Sequence, residues 1–158
     1  MGIISPNKEN NISKAFIALL LIVLSPILII AVFLYLLWGV ILYIAIWLTW
    51  RKERLLFVYS DSPTWKDYIE GEILPYIQDR AVILNWSERR KWGNSLAVLV
   101  FRYFGGYRNF NPMALVFRPF RFVRTYRFFE AFKEFKHGDP KKVDQIKKEL
   151  FKISGVIK

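Results

Sequence analysis

Residues 57–66 read Phe-Val-Tyr-Ser-Asp-Ser-Pro-Thr-Trp-Lys, a place where an apolar run stops and a helix is set to begin. Functional side chains collect at such junctions because a rigid scaffold holds the connecting loop in position. This one offers hydroxyls, a carboxylate and an indole, with no cysteine or histidine near it. The run before it, residues 55–60, is short and apolar, the pattern of a buried strand. After it, Ser62 suits an N-cap and Pro63 a first helical position, and Trp65, Tyr68 or Ile69, Ile73 and Ile77 recur on one side of a predicted helix. Gly71 and Pro75 weaken that helix and are expected to bend or shorten it.

Toward the C-terminus, residues 80–86 read as a second strand. Residues 95–106 fit strand or helix by pattern, but Gly105-Gly106 is a good helix stop, and a helix here supplies a crossover. Residues 111–119 form a third predicted strand, entered through Pro112. In residues 120–128, Phe120, Phe122 and Tyr126 alternate with Arg121, Val123, Thr125 and Arg127, a half-buried fourth strand in which Arg124 breaks the pattern. Residues 129–138 suggest a further helical turn or two. Asp139 and Pro140 then open a helix with Val143, Ile146, Leu150 and Ile153 on its apolar face, lysines opposite and Gly155 after it.

Toward the N-terminus the composition changes. Residues 15–50 contain no charged side chain, a run well beyond the roughly 18 apolar residues that suggest a transmembrane helix. A cleaved signal peptide has a shorter apolar region and a small-residue cleavage site, which residues 47–54 do not resemble. One tilted pass is favoured over a tight hairpin, because Gly39 is the only breaker near the middle. Pro26 would kink the pass, with the Ser25 hydroxyl satisfying the carbonyl that proline frees. Tyr43, Trp47 and Trp50 have the amphipathic rings of a headgroup belt, so the span is expected to end near Trp50. Lys8 and Lys14 precede it whereas Arg51, Lys52 and Arg54 follow at once, which favours a cytoplasmic C-terminal part. The expected organisation is a short polar tail at 1–14, a transmembrane segment at 15–50 and a basic cytoplasmic domain at 51–158.

The 158-residue chain has a formal net charge of +11, nearly all of it after residue 50. Such a charge suits the anionic lipid of a cytoplasmic bilayer surface. Nucleic acid is not indicated, since neither an RNP aromatic motif nor a zinc-finger spacing occurs. Zero cysteines remove disulfides, thiolate metal sites and cysteine nucleophiles. One histidine, His137, leaves no histidine-based metal cluster and no serine-hydrolase triad, and it reads as a helix-end residue. Without GxGxxG or a P-loop, the sequence suggests no nucleotide cradle and no cofactor.

The order strand, helix, strand, helix, strand, strand, helix (βαβαββα) resembles the thioredoxin-like fold. In that family a Cys-x-x-Cys opens the first helix, where this chain has Ser62-Pro63-Thr64-Trp65, and a cis-proline precedes the third strand, where it has Asn111-Pro112. The resemblance covers about residues 54–154 and implies an α/β domain behind the transmembrane helix. The stretch at 58–62 also resembles the opening of a TIR domain, but the chain after it is short for that fold. Without thiols the family's disulfide exchange is excluded, because a serine hydroxyl cannot perform it. What the resemblance leaves is a redox-inactive binding surface for a peptide or protein partner, formed by Asp61, Ser62, Thr64, Trp65, Asn111 and Pro112. The plainer alternatives are an N-cap for Ser62 and a core position for Trp65.

Further expectations stand beside this one. A glutathione-binding enzyme would use Ser62 as glutathione transferases use a serine, although those enzymes carry a second, helical domain. A domain associating with anionic lipid would use Arg118, Arg121, Arg124 and Arg127, some of them turned inward or paired with Glu88, Glu130 or Glu134. Asn85, Ser87, Glu88 and Arg89 follow the second strand and share with Ser62 the carboxyl edge, where open α/β sheets bind ligands.

Overall fold

The structure is a computed structural model and describes residues 6–50, 54–106, 111–119 and 121–157. Arg51, Lys52 and Phe120 lie outside the described residues. The chain divides into two compact units, Met1–Ile41 and Leu42–Lys158.

Helix α1 runs Pro6–Thr49, beginning within the polar stretch expected to be a tail. It continues through Pro26 and Gly39 as one helix, with no hairpin turn. Pro26 has no N–H for the Ile22 carbonyl, and the Ser25 hydroxyl donates to that carbonyl at 2.9 Å instead. Leu19–Thr49 is long and apolar enough to cross a membrane.

In the second unit, Leu42, Ile46 and Trp50 recur every four residues and are buried. Ile46 and Trp50 belong to a core cluster with Leu56, Val58, Val100, Phe101 and Leu115. The last turns of α1 are therefore part of the domain. The sequence alone assigned them to the membrane because a helix apolar all round does not mark which side meets protein.

The sheet has the order β2-β1-β3-β4, from β1 (Leu55–Tyr59), β2 (Ala81–Asn85), β3 (Met113–Val116) and β4 (Arg124–Arg127). β1 pairs parallel with β2 and antiparallel with β3, and β3 pairs antiparallel with β4. Every residue of β1 is buried: Leu55, Phe57 and Tyr59 face one core, Leu56 and Val58 the other. This two-sided cover explains its unbroken apolar sequence.

On the first face lie α2 (Lys66–Glu72), α3 (Leu74–Ile77), α5 (Phe129–Lys136) and α6 (Lys141–Ser154). Ile69, Ile73 and Ile77 are fully buried, as their spacing predicts. The single predicted helix is broken at Ile73, because Pro75 cannot donate to the Gly71 carbonyl. α6 ends at Gly155 in the left-handed region at φ 72°, and the Arg80 guanidinium donates to the Ser154 and Gly155 carbonyls at 3.2 and 2.6 Å. The second face is covered by α4 (Leu96–Phe104) and the end of α1. Ser95 caps α4, its hydroxyl accepting from the Val98 N–H at 3.4 Å, and this settles residues 95–106 as helix.

The fourth strand is shorter than the alternation at 120–128 predicts. Only Arg124–Arg127 pairs with β3, Tyr126 is buried, and Phe122 is 98% exposed. The ladder stops at Val116 opposite Arg124.

Candidate functional site

The parallel pairing of Tyr59 with Asn85 brings two loops together at the carboxyl edge of β1 and β2. The Asp61 N–H donates to Ser87 Oγ at 2.9 Å, and Asn85 Nδ2 donates to Asp61 Oδ1 at 3.0 Å. Asn85 Oδ1 accepts from the Ser87 N–H at 2.9 Å, and Lys66 Nζ stands 3.4 Å from Asp61 Oδ1. Asp61, Asn85 and Ser87, which the sequence placed on two loops, form one network. Lys66, a neighbour of the predicted site, completes it. Glu88 and Arg89 stay outside: Glu88 pairs with Lys91 at 3.4 Å, and the Arg89 guanidinium lies 5.2 Å from the centre of the Trp86 ring.

The Asn85 hydrogen bond, working against partial desolvation and aided by Lys66 and Ser87, holds the Asp61 carboxyl below its ordinary range. A depressed carboxylate binds its proton less readily in the folded than in the unfolded chain. Its contribution is therefore present above the unfolded value of about 3.9 and is lost as pH falls through the folded value. Urea midpoints of the unaltered chain and of Asp61→Asn are expected to differ near neutral pH and to converge on acidification. A gap that held constant into acid would rule out the carboxylate as its source.

The Ser62 hydroxyl accepts from the Thr64 N–H at 3.4 Å, and its carbonyl accepts from the Lys66 N–H at 2.9 Å. Residues 62–65 thus form a turn that leads into α2, and the helix proper starts at Lys66, beyond the predicted Pro63 start. The Trp65 ring packs against Phe129 and Phe132, with centroids 6.1 and 5.9 Å away, and its Nε1 donates to Ser60 Oγ at 3.2 Å. Trp65 is thus half-buried, its ring packed against the edge of the first core. Pro63 in the turn and Asp61 just ahead of it are exposed.

Val58 pairs with Met113, so Pro112 adjoins the end of β1 from which this turn departs. The Asn111–Pro112 bond is cis, and the Pro112 carbonyl accepts from the Phe128 N–H at 2.9 Å. Asn111 is 7% exposed, and its Oδ1 has no hydrogen-bond partner among the described residues. Its position was legible in the sequence as the residue before the proline; its unsatisfied oxygen was not.

Arg121, Arg124 and Arg127 are exposed and Arg118 is half-buried. None pairs with an acid among the described residues, contrary to expectation, because lysines hold the acids: Glu130 with Lys133 at 3.2 Å and Glu134 with Lys142. Arg118 and Arg124 line a cavity of about 540 Å³ with Tyr126, Glu149, Lys152 and Ile153. The Tyr126 hydroxyl is buried and has no hydrogen-bond partner among the described residues. Sequence reasoning missed Lys152 as a member of this basic group, since it arrives from α6. Among the described residues no three His, Asp or Glu side chains gather to hold a metal ion.

Comparison with known proteins gives no match: no family model, no curated protein and no solved structure matches the chain.

Proposed function

We propose that the chain is a membrane-anchored, thioredoxin-like binding module without redox chemistry, which takes an extended peptide or a segment of a partner protein beside Pro112. The observation that carries this reading is the sheet order β2-β1-β3-β4, in which only β1 and β2 are parallel, with the 62–65 turn leaving β1 next to Asn111–Pro112. This order is compatible with the thioredoxin-like plan, with serine and tryptophan standing where that family has its thiols. α1 is the anchor, and the basic residues that follow it favour a cytoplasmic domain. Extended peptides are held largely through main-chain hydrogen bonds, with pockets for alternate side chains, and that is the mode proposed for this surface.

A photo-reactive amino acid at the exposed Pro63, with Lys148 on α6 as control, tests the reading in cells. A discrete protein adduct from position 63 and none from 148 is the expected result. Equal labelling from both positions, or none from 63, would overturn it.

A further inference from the structure

We propose that Phe122 is an interfacial anchor: its ring enters the acyl boundary of the leaflet at the C-terminal end of α1, and Arg118, Arg121 and Arg124 meet the phosphates of anionic lipids. The inference rests on the reading of α1 as a membrane span.

Phe122 is 98% exposed, more than any other large apolar side chain among the described residues. The ring stands among arginines that pair with no acid among the described residues. Its place along α1 says what covers it. The Tyr43 hydroxyl donates to the Arg118 carbonyl and, at 3.2 Å, to the Arg121 carbonyl. Tyr43 precedes the end of α1 at Thr49 by roughly 9 Å at about 1.5 Å per residue, so the backbone next to Phe122 meets the helix before its last turn.

Leu19 to Ile41 rises roughly 34 Å, enough for a hydrocarbon core of about 30 Å. The bilayer boundary then falls just ahead of Tyr43, at the level where Arg118 and Arg121 are held. The last turns of α1 have two apolar sides. Leu42, Ile46 and Trp50 are buried in the domain, whereas Ile44, Trp47 and Leu48 are exposed and form an apolar groove with Tyr43. A bilayer surface covers that open side and Phe122 together. Trp47 has the amphipathic ring expected at the headgroups, and the arginines can reach phosphate with their guanidinium groups while their stems lie along acyl chains.

The absence of cysteine makes single-site labelling unambiguous. The full chain is prepared as Phe122→Cys, as Ile30→Cys within the span and as Lys148→Cys on α6, each carrying an environment-sensitive NBD fluorophore, in nanodiscs with doxyl-labelled lipid. The expected result is lipid quenching at 122 and 30 that is several-fold stronger than at 148, with iodide showing the reverse order. Quenching at 30 but not at 122 overturns the anchor and leaves the span intact. Iodide access at 30 equal to that at 148 overturns the span, and the anchor with it. The combined Arg118→Gln, Arg121→Gln and Arg124→Gln variant is expected to reduce lipid quenching at 122 several-fold in phosphatidylserine nanodiscs and little in phosphatidylcholine nanodiscs. Equal loss in both would overturn the phosphate contacts.

Discussion

Phe57→Ala is expected to destabilise the domain by about 3–5 kcal/mol, the usual cost of removing a fully buried aromatic ring. Phe57 has no exposed surface and stands in the central strand, with the Phe128 ring 6.0 Å away edge-on and Tyr59 at 6.4 Å. No neighbouring backbone can close the hole, because β1 is held by β2 on one side and β3 on the other. Such a loss is a large share of the roughly 5–15 kcal/mol that stabilises an ordinary domain. Urea unfolding of the full chain in nanodiscs, followed by tryptophan fluorescence, measures it, and Phe57→Leu should recover most of the loss. An unchanged midpoint for the alanine variant would mean that Phe57 is not at the centre of this core.

The second large effect concerns where the domain begins. A fragment of residues 42–158 is expected to unfold cooperatively, whereas residues 51–158 alone should bind hydrophobic dyes and lose a sharp transition. The shorter fragment lacks the buried Leu42, Ile46 and Trp50, of which Ile46 and Trp50 join α1 to the second face of the sheet. Trp50 meets Phe117 edge-on at 6.0 Å, and its truncation to alanine alone should cost about 3–5 kcal/mol. Ile46→Ala in the full chain should cost about 2–5 kcal/mol. Equal urea midpoints for the two fragments would show that the end of α1 contributes no core.

What the sequence disclosed depended on how local the determining interaction was. β1, β2 and α4 were legible because a buried strand or a capped helix carries its own pattern: the apolar run at 55–59, or Ser95 ahead of Leu96 with Gly105 behind. The break between α2 and α3 was also written locally, in Pro75. The division of α1 between exposed and domain-packed positions was not, because Leu42, Ile46 and Trp50 are as apolar as Ile44 and Leu48. The alternation at 120–128 misled for a related reason. Phe122 continues the period of Tyr126, but β3 supplies no further partner past Val116.

The candidate site divides the same way. The carboxyl edge of β1 and β2 followed from strand order, which placed Asp61 and Asn85 on one rim, but the hydrogen bonds linking them depend on register. Trp65 could face in or out by helical position, and its contact with Phe132, from a helix far along the chain, decided it. The arginines were expected to share the acids, yet Lys133 lies three residues from Glu130 and takes it on the same helix.

β4 is an outer strand of only four residues, Arg124–Arg127, and its arginines are exposed. If two copies met along this edge in antiparallel fashion, centred on Thr125 and Tyr126, each Arg124 would stand opposite an Arg127. Like charges facing across a ladder repel, so the seam would be opposed at both ends. The same exposed arginines thus keep one molecule's sheet from being extended by its neighbour's.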